Sequence, residues 1–427
     1  MSDPDLDAID YFRGESLVDD PYPYYDHLRA ECPVKREPHH DVVMVTGYEE
    51  ALGIYADAKT FSSCNAPSGP FAGFPVALEG DDVGDLIDAY RDQLPVSTEI
   101  MTFDPPKHTA HRALVMRLFT PRGMAELEPF IGERADRLID GFADRGECEF
   151  ISAFAAPFTV LVVCGLLGVP ESDHESLLED VLGAHRDRGL GNTRVATPND
   201  PFSFLHARFT GYIEERRTNP RDDVMTRVAT TPFPDGTMPE VIDVVRMASL
   251  LFGAGTGTTT HFLAAALQLL GERPDVQQLL RDEPERIPNF VEEMLRMESP
   301  IKGTFRLSRT PKTVTGVEIP AGTTVMLVNS GANRDPRQFE CPNEFRVDRE
   351  NARQNLTFGH GIHLCAGAAL ARAEARVAIE RLLDRLPAIT ISESVHGPVD
   401  ARRYEYTPSY QARALRNLDL EFAPAGT

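Results

Sequence analysis

The 427-residue chain reads as mainly α with a minor β part. Apolar residues recur at helical spacing over several long stretches. Two stretches, Phe150–Pro170 and Met247–Gly271, carry almost no titratable groups and suit helices buried on all sides. Strand-like alternation is confined to two short regions. In order, VVMVTG at 42–47 reads as a strand ending in a turn, in a β portion spanning about 38–47. Residues 62–97 are irregular, rich in Gly, Pro and Asp. Ala125–Ala143 and Pro239–Leu251 carry apolar residues at helical spacing, and Gly183–Pro201 reads as a mobile connection. Pro274–Leu280 and Ile287–Met297 read as shorter helices with proline near their starts. The run 312–328 reads as strands broken by turns at Gly316 and Pro320–Gly322. After Cys365, Ala371, Ala375, Ala378, Leu382 and Leu386 form one helical stripe, and Pro387 stops it. No repeat or linker divides the chain, so residues 1–427 are expected to form one domain.

Apolar residues at 42% and charged residues at 26% suit a folded soluble protein. The net charge of −23 argues against nucleic acid and anionic membranes as general partners. Six scattered cysteines without a C-x-x-C pair, and an acidic MSDPDLDAIDYF start without an apolar leader, point to a reducing cytoplasm. Both charge-poor stretches are long enough to span a bilayer. Pro157, Gly165 and Gly168 interrupt the first, GAGTGTTTH interrupts the second, and neither has basic anchors on one side. They read as core helices, and no membrane partner is expected.

The chemistry-bearing segment is Phe358–Ala373, FGHGIHLCAGAALARA. Cys365 sits just before a helix, where backbone N–H groups and the positive helix end favour the thiolate. Gly359 and Gly361 permit a tight loop, and Gly367 lets something flat approach. Such a thiolate is a soft metal ligand. A buried inert cysteine is one alternative. A zinc site using His360, His363 and Cys365 is another, though no second ligand cluster accompanies it. A second signal is Gly253, Gly255 and Gly257 inside a helix, at about 1 kcal/mol each relative to alanine. A close approach to that helix would explain them. Thr258 can bond back to the Ala254 carbonyl and bend the helix.

The pattern F-G-x-G-x-H-x-C-x-G, matched by Phe358, Gly359, Gly361, His363, Cys365 and Gly367, resembles the cysteine-ligand loop of the cytochrome P-450 family, the haem-thiolate monooxygenases. Three further segments resemble the family in the same order along nearly the whole chain. DPPKHTAHRALVMRLFTP at 104–121 resembles the helix whose His and Arg hold a haem propionate, here His108 and Arg112. Arg306 in FRLSR and His363 match two more propionate positions. EMLR matches a buried Glu293–Arg296 pair, whose usual third partner is an arginine near Glu344; with NEFR there, Arg346 is the substitute. AGTGTT at 254–259 resembles the oxygen-binding groove A-G-x-D/E-T-T, but Gly257 stands at the acid position. Thr258 and Thr259 are retained, and His261, one turn on, is an alternative proton shuttle or a packed core histidine.

The resemblance implies haem b buried between a long central helix and the Cys365 loop. Cys365 would be the axial thiolate ligand, with Ala254, Phe358, Gly359 and Gly367 around the haem. It implies insertion of one atom of dioxygen into an apolar small molecule. Electrons would come from an acidic ferredoxin with a separate reductase, docked on a basic face of Lys107, Arg112, Arg117, Arg122, Arg349, Arg353, Arg372 and Arg376. The missing acid leaves open a haem-thiolate enzyme that is not a monooxygenase (a peroxygenase, isomerase or reductase), and more remotely a haem sensor. Pocket walls are expected from residues 62–100, Gly183–Phe209, Phe252–Gly255 and Ile301–Thr304. Phe71, Phe74 and Pro75 would form an apolar lid. Lys302 would either meet a substrate carboxylate or snorkel to the surface.

Overall fold

The computed structural model describes residues 6–187 and 202–423. The expected mobile connection at Gly183–Pro201 falls mostly on 188–201, outside the described residues; its first five belong to the His174–Asp187 helix. The two apolar segments Pro239–Leu251 and Met247–Gly271 merge into one 32-residue helix, Val241–Glu272. It contains no proline, and Gly253, Gly255 and Gly271 lie where neighbours crowd it. This helix is long and apolar enough to cross a bilayer. Here Ala248, Phe252, Leu263 and Leu267 are fully buried in one large apolar core. The stretch Ile151–Leu167, a π-turn followed by an α-helix, packs along it, and Thr159 Oγ1 lies 3.0 Å from Thr260 Oγ1. Ser203–Thr218 and Ala368–Arg385 complete the packing around the central helix.

The periodicity at Ala125–Ala143 belongs to a helix that starts earlier, Pro121–Asp140. Thr120 Oγ1 accepts the Gly123 N–H at 3.1 Å and Pro121 takes the first position, so the cap sets the start. A five-stranded sheet runs in the order Val34–Arg36, Val43–Val45, Thr324–Leu327, Thr304–Ser308, Phe61–Ser62. Val325 stands opposite both Val43, in a parallel pair, and Arg306, in an antiparallel one, which carries Arg306 into the interior. Lys312–Val314 and Val317–Ile319 form a hairpin turning at Thr315 and Gly316, both left-handed.

Glu293 and Arg296 lie on the Ile287–Met297 helix and are wholly buried. Arg296 Nε and Nη2 donate to the two Glu293 oxygens at 2.7 and 2.8 Å. The third partner is Arg349 rather than Arg346. Arg349 Nε donates to Glu293 Oε1 at 2.9 Å, and its other nitrogens donate to the carbonyls of Glu340, Cys341 and Glu344. The Arg346 side chain turns outward to Glu344, and only its backbone N–H reaches Glu293, at 3.0 Å. The cluster ties this helix to the 340–349 stretch that leads into the Cys365 loop.

Candidate functional site

Gly359 and Gly361 adopt left-handed φ of 69° and 71° in the loop before Cys365. A Cβ on Gly361 would stand 2.5 Å from the Tyr55 carbonyl oxygen, so the loop closes tightly on the end of the Tyr48–Ala56 helix. The Cys365 N–H donates to Phe358 O at 2.9 Å, which folds the loop back on itself. Gly367 then starts the Ala368–Arg385 helix, and open space lies where its Cβ would be. Burial pushes the Cys365 thiol up, while the Gly367 and Ala368 N–H groups, Arg112 and Arg372 pull it down. The helix start therefore acts in the expected direction, but desolvation outweighs it in the protein alone. A metal cation held by Cys365 would supply the missing stabilisation, since a coordinating thiol is deprotonated outright.

Around this loop two imidazoles and two guanidiniums converge. His108 and His363 pack against each other with ring centroids 4.1 Å apart and planes tilted by 47°. Arg306 is 5% exposed, and its Nη1 donates to the Phe305 carbonyl. Arg112 Nη2 donates to Leu364 O at 2.6 Å. Burial, reinforced by neighbouring cations, takes His108 down to about 4 and His363 down to about 2. Asp104 is the carboxylate acting on both rings, but it is already held by Ser62, Ser63, Arg91 and Arg309. His363 Nε2 is buried without a hydrogen-bond partner among the described residues. Two buried imidazoles and two guanidiniums converging without a free anion fit the propionates of a haem. Leu364 and Cys365 keep surface open to the space beside them, although the surrounding chain hems in the Cys365 thiol, and Phe358 is half-buried with Arg372 over its ring at 4.5 Å. A planar apolar group with two carboxylates matches that surface.

On the central helix, Ala254 is exposed and Thr258 half-exposed one turn apart, in a stretch otherwise largely shielded. Thr258 Oγ1 donates to Ala254 O at 2.8 Å, the back-bond expected from the sequence. The glycines are only partly explained by a cofactor. A Cβ on Gly253 would come within 2.2 Å of the Phe202 ring, and one on Gly255 within 3.2 Å of Val163. The flat group against Gly253 is therefore a phenylalanine of this chain. Thr259 is 4% exposed and points elsewhere, to Glu374. His261 is half-buried.

Several expectations change in three dimensions. Lys302 is 3% exposed, its Nζ donates to the Ser409 carbonyl, and burial brings it down to about 7. It neither snorkels nor stands ready for a substrate carboxylate, because its charge is spent inside an aromatic cluster. Phe71 packs against Phe12, His40 and Tyr410, and Phe74 joins the patch around Val83 and Ile87. The basic face is thinner than its sequence suggests. Arg349 is buried on Glu293, Arg372 pairs with Glu292, Arg376 with Glu128 and Glu380, and Arg122 with Glu126. Arg112 turns to Leu364, whereas Lys107, Arg117 and Arg353 stay exposed. The spacing left Glu374 unread, although Leu370 and Ala378 on either side at helical intervals mark its face as buried.

A helix-start cysteine beside two imidazoles and two guanidiniums, with a long threonine-bearing helix crossing the core, defines a haem-thiolate protein. Comparison with known proteins agrees. The family model for Cytochrome P450 matches residues 234–402. Cytochrome P450 144 of Mycobacterium tuberculosis is 33% identical over 97% of this chain and 91% of its own length. The Cytochrome P450 monooxygenase PikC of Streptomyces venezuelae is 33% identical over 98% of this chain and 94% of its own. The substrate-free structure of Mycobacterium marinum CYP150A6 is 49% identical, covers 99% of this chain and 100% of that one, and superposes with a TM-score of 0.92. The chain belongs to the cytochrome P450 family, oxidoreductases that bind haem b.

Proposed function

We propose that this protein is a cytoplasmic, single-domain monooxygenase that inserts one atom of dioxygen into an apolar small molecule, with electrons from an acidic ferredoxin and a separate reductase. The carrying observation is Cys365 at a helix start, its sulfur met by the Gly367 and Ala368 N–H groups, beside the His108, Arg112, Arg306 and His363 nest. Cys365 is the thiolate ligand in this reading, and the two guanidiniums and two neutral imidazoles hold the propionates. Ala254, Phe358, Gly359 and Gly367 shape the walls, and Thr258 lines the oxygen groove, whereas Thr259, expected beside it, turns away toward the Ala368–Arg385 helix. The haem supplies oxidising chemistry, favoured by electron density from the thiolate. The chain's residues bind and orient it and move protons.

Named relatives support an apolar substrate. One is a Vitamin D(3) 25-hydroxylase of Pseudonocardia autotrophica, and another, CYP109E1, was solved with testosterone. The Phe202 ring seated on Gly253 extends the apolar lining. Lys107 and Arg117 offer the exposed basic charge an acidic donor needs. Gly257 favours the second reading, a haem-thiolate enzyme without oxygen-derived turnover, and peroxide-driven turnover without a reductase would distinguish it. The site itself is tested by the Soret band of the reduced carbon monoxide complex, at the wavelength that gives the family its name. Cys365→Ser is expected to abolish it, and a variant that keeps it would move the ligand to another cysteine.

A further inference from the structure

Of the 43 basic side chains in this protein only five are lysine. The deeply buried cations are arginines set on carboxylates, such as Arg296 and Arg349 on Glu293, Arg216 on Asp223 and Arg334 on Glu298, or Arg306 beside the imidazoles. Lys302 is buried without an ion pair among the described residues, its Nζ donating to the Ser409 carbonyl and lying 5.9 Å from the centre of the Tyr11 ring. Lysine, unlike arginine, can shed its proton when buried. Three segments meet at this amine. The Lys302 N–H donates to Gln411 O at 2.6 Å, and Ile301 bridges Ala412. Tyr11 Oη donates to Tyr410 O at 2.9 Å and lies 2.8 Å from Tyr25 Oη. The Tyr410 ring packs on Phe12 at 5.5 Å and on Phe71 at 5.8 Å, and Gln411 Nε2 donates to Ala66 O at 3.4 Å. The turn at Ser409–Ala412 thereby braces the Ala66–Phe71 edge of the irregular 62–97 stretch.

The groups around this cluster offer the amine no counter-ion. The N-terminal segment brings Tyr11 and Asp10, and Asp10 is held by His40 at 3.0 Å. The Tyr22–Glu31 helix brings Tyr22, Tyr24 and Tyr25. Burial pushes these three hydroxyls and that of Tyr11 up, so none is an anion at neutral pH. The C-terminal side brings Tyr410 and Arg413, and Arg413 pairs with Glu298 at 2.7 Å. Glu298, just past the Ile287–Met297 helix, also takes Arg334. The short Asn329–Ala332 helix, whose Ser330 N–H donates to Lys302 O at 3.0 Å, carries no ionisable group. On the strand that Lys302 leads into, Arg306 turns to the Tyr55 ring. Burial, reinforced by Arg413, is what brings Lys302 down to about 7.

We infer that Lys302 is a proton-operated clasp: uncharged, it seats the Ser409–Ala412 turn against the Tyr11 cluster, and charged, it loosens that turn and with it the Ala66–Phe71 edge. A neutral amine keeps its bond to Ser409 O at little cost in hydration. An ammonium brings three donors to a single carbonyl and loses the water that would satisfy the rest. The closed form therefore holds the neutral amine, and the open form takes a proton from solvent. Between about 7 and the ordinary lysine value of 10.5, each unit of rising pH favours the closed form by up to about tenfold. Below 7 both forms carry the proton, and the dependence levels off. The consequence for ligands rests on the reading in which residues 62–100 wall the substrate pocket: a looser edge lets a bound molecule leave faster.

The test uses the full-length haem-loaded protein. With lysine-selective carbon-13 labelling, one of the five Cε resonances should titrate with a midpoint near 7, and Lys302→Arg should lack it. Amide hydrogen exchange, corrected for the intrinsic rate, should slow by up to about tenfold per pH unit between pH 7 and 9 in peptides covering 6–13, 66–72 and 409–413. Lys302→Met should keep exchange there slow and independent of pH. Dissociation of 4-phenylimidazole, followed at the Soret band, should be several-fold faster at pH 7 than at pH 9 in the wild type and equal at both in Lys302→Met. If Lys302→Met fails to fold, the lysine titration and the wild-type exchange carry the test. Five lysines all titrating near 10.5 overturn the inference. So does wild-type exchange indifferent to pH, a dependence that survives Lys302→Met, or one that disappears only in His40→Gln. A dissociation rate indifferent to pH breaks the link to the pocket wall. Failure to bind haem would remove the pocket reading itself, while the resonance and the exchange still decide the clasp.

Discussion

Replacing Arg349 by alanine should destabilise the protein far more than replacing Arg346, although both arginines lie in the stretch where sequence reasoning expects a third partner for Glu293 and Arg296. Arg349 donates from Nε to a carboxylate that is wholly buried, and its two terminal nitrogens satisfy the Glu340, Cys341 and Glu344 carbonyls. Truncation removes the bond to the carboxylate, worth about 1.5–3 kcal/mol, and leaves the Glu340 and Cys341 carbonyls to find other donors, while Glu344 O keeps Arg296 Nη2. Because Arg296 still pairs with Glu293 through two bonds, the carboxylate is not orphaned. The expected loss is therefore about 3–5 kcal/mol, the range for breaking a buried ion network, rather than more. That is a large part of a typical stability of about 5–15 kcal/mol. Arg346 spends its side chain on Glu344 at the surface, where a pair is worth about 0–1 kcal/mol, and its N–H to Glu293 survives in Arg346→Ala. Urea unfolding of the haem-loaded protein, followed by far-ultraviolet circular dichroism and by the carbon monoxide band, measures both. Because Arg349 braces the approach to the Cys365 loop, the band should weaken before the helical signal in Arg349→Ala. Equal costs for the two variants, or a larger cost for Arg346→Ala, would refute the assignment.

Thr258→Ala should uncouple turnover, with NADPH still consumed and hydrogen peroxide replacing product, because the partly exposed hydroxyl that bonds Ala254 is lost; fully coupled turnover would contradict its place in the groove. Arg117→Glu should slow reduction by an acidic ferredoxin while leaving the optical spectrum unchanged, and added salt should slow the wild type, since exposed charge acts mainly on association. A reduction rate indifferent to both would place the donor elsewhere. Arg372→Glu is a poorer probe of docking than its sequence position suggests, because that guanidinium holds Glu292 and stacks on Phe358.

The sequence by itself determined the fold class, the family and the identity of the cysteine-bearing loop. Each rests on short-range constraints: helical periodicity, glycines needed for left-handed turns at 359 and 361, and a cysteine at a fixed distance from a helix start. It also placed His108 and Arg112 on one helix, since residues four apart share a face. Only the tertiary structure decided which partners these residues meet. A guanidinium reaches far from its own backbone, so Arg349 could displace Arg346 from Glu293 across three residues of irregular chain. Desolvation likewise depends on what covers a side chain from distant segments. That is why Lys302 turned out buried against Ser409, and why Glu374, an ordinary acid in a helix of mixed charge, became a shielded carboxyl against Thr259. The glycine at 253 was legible as a close approach, but its occupant, Phe202 just before the Ser203–Thr218 helix, was not. Local geometry is written in spacing, whereas ion pairing and burial are properties of surfaces brought together only when the chain has folded.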